Sequence, residues 1–293
     1  PKACAGLAAP APGLAGTNVI NATDPDFKYP QYRVASLGFD RQLPWSTVFT
    51  FEGLYRHAQN GIMIIDKNLK GPRTVNGATY KDRNGRVLYA DTISASGAET
   101  NAGQKVINFL GAPPVAFSQG LYYVTNQNTD VNYTLTGQLK KKFSRDLDVN
   151  LAYTYTQAKD VQSLTSDRAV SNFQNGRNYE GLQTDMTATT SAFERPHRLM
   201  FFGTWTMPWK STDVTWYLEA QSGFSMVYTV TGGDLNGDGI NTNDAIYIPT
   251  DVADPNGWQF AAQGGITAAS QALAFDKFIS ANGCINKQRG TIM

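Results

Sequence analysis

The residues with the clearest chemical potential lie at Asp234, Asn236, Asp238 and Asp244. Oxygen-bearing side chains at alternate positions, with Gly239 in the sixth place, match the first half of a calcium loop, where glycine permits the sharp turn. The twelfth position, which needs a bidentate carboxylate, is Ala245, and Asp244 stands one residue early. Calcium is therefore one expectation for this loop. A tight turn held by Asx side chains is the other.

Few other residues suggest chemistry. The chain has two histidines, His57 and His197, each next to an arginine. Neither has metalloprotease spacing or a paired carboxylate, so rim hydrogen bonding is expected rather than a metal centre or triad. Two cysteines, Cys4 and Cys284, lie far apart and make no metal site alone. No phosphate loop or paired glycosidase acids can be argued. With a net charge of +1 there is no electrostatic case for nucleic acid. The chain is therefore not expected to be an enzyme.

The elements that would position these groups show a period of two. In Asn132 to Tyr155, Tyr133, Leu135 and Leu139 alternate with Thr134, Thr136, Gln138 and Lys140. After a turn at Ser144 to Asp146, Leu147, Val149, Leu151, Tyr153 and Tyr155 alternate with Asp148, Asn150 and Thr154. Successive strand side chains point to opposite faces, so this is a hairpin with one oily and one wet face. A second hairpin is expected from Tyr32 to Gln42 and Ser46 to Ala58, and a third from His197 through Gln221. Each closes on a short turn, and Trp45 and Trp209 stand beside turn prolines.

Between the hairpins lie long, turn-rich segments. Ile62 to Ile65 and Val87 to Tyr89 are expected to extend a hairpin as short strands. The first 30 or so residues read as loop, and Ala261 to Ile279 as room for a short helix. Short turns alternating with long loops along about six strands predict an all-β, antiparallel, up-and-down transmembrane β-barrel with long extracellular loops. Charged residues are only 17% and aromatics 12%, as suits a wall with lipid outside. Mean hydropathy is -0.34, and no apolar run reaches the ~20 residues of a spanning helix. Six strands cannot close a barrel, for which eight is the practical minimum, so residues 1–293 are expected to form part of one. The abrupt beginning and end suggest a piece of a longer protein.

In this barrel Glu52, Arg56, Thr136, Gln138, Asp148, Asn150, Glu219 and Gln221 face the lumen, with Lys140 and Lys142. Val48 and Leu54 interrupt the polar pattern of that face.

Several phrases resemble the barrel of TonB-dependent outer-membrane receptors: Tyr133 to Ser144 (YTLTGQLKKKFS), Leu151 to Thr156 (LAYTYT) and Phe193 to Leu199 (FERPHRL). Gly38 to Trp45 (GFDRQLPW), Gly233 to Gly239 (GDLNGDG) and Ile246 to Pro249 (IYIP) are similar to the Oar-like subgroup. The resemblance covers most of residues 28 to 293. It implies a Gram-negative outer-membrane transporter with a barrel of about 22 strands, an internal plug and a TonB energy complex. The plug, the regulatory-like N-terminal domain and the final strands are expected to lie outside this chain. Its partners would be outer-membrane lipid, the plug, the energy complex and a cargo the residues do not name. The alternatives are a passive or adhesive outer-membrane barrel, and a soluble all-β carbohydrate-binding module.

Overall fold

Strict alternation of apolar and polar residues gives each long strand one greasy and one wet edge-on face, and such strands must pair in register to keep the faces together. A computed structural model describes residues 19–89, 120–176, 183–209, 212–230, 233–240 and 242–292, with four two-residue strand pieces between 92 and 116. Cys4 lies outside the described residues, and Cys284 is exposed.

Six long strands carry the architecture: β1 (Gln31–Leu43), β2 (Thr47–Gln59), β3 (Val131–Lys142), β4 (Leu147–Asp160), β5 (His197–Met207) and β6 (Thr212–Gln221). They pair antiparallel with their sequence neighbours throughout, from β1 at one edge to β6 at the other. The sheet is an up-and-down meander. It does not close on itself among the described residues.

The three hairpin turns lie at one end. The first holds Trp45 and Ser46 at φ of 62° and 53°, a left-handed conformation that costs such residues about 1–2 kcal/mol. Trp45 and Trp209 stand out from this end, 83% and 66% exposed. At the other end β2 and β3 run on, past a left-handed Asn60 (φ 58°), into the shorter strands Gly61–Asp66 and Leu121–Gln127. The expected strand at Ile62 to Ile65 is therefore present. Val87 to Tyr89 differs from expectation: it is a fully buried apolar cluster with Leu69, linked to Lys81 by a single bridge. The reading of the first 30 residues as loop is also corrected, because Ile20–Thr23 is a strand, parallel to Leu121–Gln127. The expected C-terminal helix spans Ala268–Ala281, where the Thr267 side chain accepts the Ser270 N–H as an N-cap.

Register assigns every wall side chain to a face. One row runs Arg41, Phe49, Leu139, Leu151, Phe201, Leu218 across all six strands. Its neighbour along the strands runs Phe39, Phe51, Gly137, Tyr153, Leu199, Ala220. These side chains stand exposed: Phe39 is 51%, Leu139 41% and Leu218 56% accessible. At Gly203 a Cβ would collide with the Asp148 carbonyl and with the Trp216 ring that lies over the glycine. Glycine in this strand thus makes room for an indole rather than for flexibility.

The two faces should respond differently to the same change. Leu135→Arg or Leu151→Arg is expected to cost ~2–4 kcal/mol at mid-bilayer, and Thr136→Arg far less. Equilibrium unfolding from lipid vesicles measures both.

Candidate functional site

The second face of the sheet is built by the complementary register. Glu52 lies in the row Gly38, Glu52, Thr136, Thr154, Arg198, Gln221. Gln138 lies in the adjoining row with Asp40, Thr50, Ala152, Met200 and Glu219. Asn150 shares a row with Val48, Lys140, Phe202 and Tyr217, and Asp148 pairs with Lys142 and Thr204. Arg56 sits opposite Asn132, nearer the long-loop end, with its guanidinium 4.6 Å from the Tyr32 ring centroid. All eight residues expected on the lumen side therefore share this face of the sheet.

Their contacts are mutual. The Thr136 and Thr154 hydroxyls lie 3.1 Å apart, and Gln138 donates to Asn150 at 3.5 Å. Arg198 Nε donates to Glu219 Oε1 at 2.7 Å, and Tyr217 donates its hydroxyl to Oε2 at 2.5 Å. Sequence reasoning placed Glu219 but missed Arg198 as its partner. The signal was present: with β5 and β6 joined by a short turn, both residues fall on the inner parity one diagonal step apart.

Beyond the long-loop end the loops pack into a cap. Helix Ala169–Gln174 sets Phe173 against Tyr122, ring centroids 5.3 Å apart, beside Ile64 and Ile240. Gln162 docks on the strand Gly61–Asp66 as another strand would, accepting the Ile64 N–H and donating to the Ile64 carbonyl, both at 2.8 Å. Gln183 does the same at Asp66, at 2.8 and 3.2 Å. Side-chain amides thereby satisfy backbone groups that would otherwise be buried without partners.

Asp234, Asn236, Asp238 and Asp244 meet within this cap, and Asn236, Asp238 and Asp244 are buried. Most of their oxygens are turned on the chain itself, while Asp244 Oδ1 is buried without a hydrogen bond. Asp234 accepts the Gly237 and Gly239 N–H groups, each at 2.7 Å. Asn236 accepts from Asp238 at 2.9 Å, Asp238 from Ile240 at 2.8 Å, and Asp244 from Leu235 at 2.9 Å. Asn243 donates its amide to Asp238 at 2.7 Å. Among the described residues no group of three or more His, Cys, Asp or Glu is placed to hold a metal ion. The calcium expectation gains no support from this geometry.

The positive charge beside the acidic turn is a guanidinium. Arg86 is buried, donates to the Ala245 carbonyl at 2.6 Å and to Asp82 at 2.9 Å, and brings Nε to 3.7 Å from Asp244 Oδ1. It reaches Asp244 from a distant loop, which no local spacing could announce. Burial raises the Asp238 carboxyl to about 7 and the Asp244 carboxyl to about 6, with the Arg86 charge pulling Asp244 back.

A family model for the outer membrane beta barrel domain matches residues 2–263. The chain belongs to that family. No curated protein and no solved structure matches it. As an outer membrane beta barrel domain it resides in the outer membrane, and the uncovered apolar face is the surface such a domain presents to lipid. The soluble carbohydrate-binding alternative is set aside on the same two grounds.

Within this outer membrane beta barrel domain both histidines sit on the outer face near the long-loop end. His197 Nδ1 shares a 2.6 Å hydrogen bond with the Tyr153 hydroxyl, and its ring lies 5.5 Å from Tyr155. His57 stacks on Tyr55 at 6.4 Å. The rim hydrogen bonding expected of both from the sequence is present at His197.

Two outcomes follow for the cap. Arg86→Met leaves the buried Asp244 carboxylate uncompensated and is expected to cost about 3–5 kcal/mol, read as lost hydrogen-exchange protection at Tyr89 and Leu235. Asp238, raised from 3.8 to about 7, stabilises the cap most below about pH 4, and that contribution disappears as pH rises through 7. Rate-corrected hydrogen exchange should therefore show protection falling between pH 5 and 8, and Asp238→Asn should flatten the trend.

Proposed function

We propose that this chain forms part of the barrel wall and the extracellular loops of a TonB-dependent, Oar-like outer-membrane transporter. The observation that carries the reading is the composition of the inner face. Its polar residues are interleaved with Val34, Val48, Leu54, Met200, Phe202 and Tyr217. Val34 is 58% and Tyr217 59% accessible. An open aqueous pore has no use for that much apolar surface, whereas a lumen packed with a plug domain covers it.

In this reading the side chains divide the work. The loop cap meets cargo outside, the inner face grips the plug, and the outer face holds the wall in lipid. Arg198, Glu219 and Tyr217 lock one another, so they present a fixed surface rather than mobile charges. Glu52, Arg56, Lys140, Lys142 and Asp148 are among the groups left to meet the plug or the passing cargo. The work is passage rather than bond-making, with energy entering as mechanical pull through the TonB complex.

A photo-crosslinking residue at Gln138 of the full protein tests this. The expected product joins Gln138 to a plug segment of the same polypeptide, while the same residue at Leu135 captures lipid only. Uptake through the protein should stop when the proton-motive force is collapsed. A passive or adhesive barrel would give no plug product, and any flux would continue after de-energisation.

A further inference from the structure

Charge in the six strands is sorted by sign as well as by face. Every carboxylate there — Asp40, Glu52, Asp148, Asp160, Asp213 and Glu219 — falls on the inner parity. The inner face holds cations too: Arg56, Lys140, Lys142 and Arg198. Lys and Arg on the outer parity are Arg33 and Lys159 near the long-loop end, and Arg41 and Lys141 near the turns. Burying the apolar face in hydrocarbon explains why charge is missing from mid-strand. It does not explain why the outer rims carry one sign alone.

Lys141 is the middle residue of a lysine run, and the register turns it outward while Lys140 and Lys142 turn inward. Its Nζ lies 4.8 Å from the Phe143 ring centroid and 5.9 Å from that of Trp45. Both rings are exposed, at 58% and 83%. Arg41 is in the same row as Phe49 and Leu139, one strand removed from β3 and so about 10 Å from it laterally. The turn beyond β3 adds Arg145 and Asp146, one of each sign. Arg41 and Lys141 thus stand at the turn end of the lipid-facing surface and are continuous with it. Long cationic side chains at that depth extend toward the headgroups, and an anion placed between them meets no outward carboxylate on the strands.

We propose that Arg41 and Lys141, flanked by Trp45 and Phe143, form a binding site for the phosphate of an anionic phospholipid in the leaflet on the turn side. The inference rests on the apolar face being lipid-facing. The phosphate lies between the guanidinium and the ammonium, the acyl chains run along Leu139, Phe49 and Leu37, and the indole covers the glycerol region.

The test is native mass spectrometry of the full protein released from nanodiscs of equal phosphatidylglycerol and phosphatidylcholine. The wild-type protein is expected to retain phosphatidylglycerol preferentially. Arg41→Gln with Lys141→Gln should lower that preference by about fivefold per cation removed. Lys140→Gln with Lys142→Gln removes the same charge from the inner face and should leave the preference intact, as should Arg41→Lys with Lys141→Arg. Equal retention of both lipids by the wild type, or equal loss in the inner-face variant, overturns the site. A protein that does not enter these nanodiscs overturns instead the lipid-facing assignment beneath it.

Discussion

Hydrocarbon offers no hydrogen-bonding partner to a peptide group, so a chain crossing it must pair every N–H and C=O internally. The six-strand meander follows from that requirement. Adjacent strands are joined by short turns at one end, and the pairing of β2 with β3 is complete from Val131 opposite His57 to Lys141 opposite Thr47, although a long loop separates them in sequence. Side-chain chemistry then follows the period of two. Most of the leucines, phenylalanines and tyrosines occupy the parity facing lipid, and threonine, asparagine and glutamine mark the other, where Leu54, Phe202 and Tyr217 are interspersed. The outer edges of β1 and β6 are unpaired among the described residues, and an open edge is costly in lipid.

The cap obeys a different solvent. Above the bilayer water competes for each polar group, and burial is reached by folding side chains onto backbone. Gln162 and Gln183 imitate a neighbouring strand, Asp66 accepts the Asn68 and Leu121 N–H groups at 2.9 Å, and the acidic turn closes on its own amides. Arg86 ties that turn to the segment leading to Tyr89, whose N–H donates to the Asn236 carbonyl at 2.7 Å. The cap is thus a polar core with small apolar clusters, and the wall is its inverse.

The hairpins were legible because period-two alternation is a local signal that survives without knowledge of partners. The grouping of Glu52, Thr136 and Gln138 on one face came with it, since parity alone decides the face. What was not legible depends on distant contacts. Arg86 reaches Asp244 across much of the chain, and Ile20–Thr23 becomes a strand only because Leu121–Gln127 lies beside it. The stretch Asp234 to Gly239 was ambiguous for another reason. An Asx-closed turn and a calcium loop draw on the same residues at the same spacing, and only the direction of the oxygens separates them.

The segregation of carboxylates also bears on how the wall is assembled. If β3 slid by one residue against β2, every side chain on it would exchange faces. Thr136 and Gln138 would enter hydrocarbon while Leu135 and Leu139 turned into the lumen, and the same slip in β6 would drag Asp213 and Glu219 into lipid. A strand misaligned in this way would bury polar or charged side chains in hydrocarbon, so the pattern favours a single register.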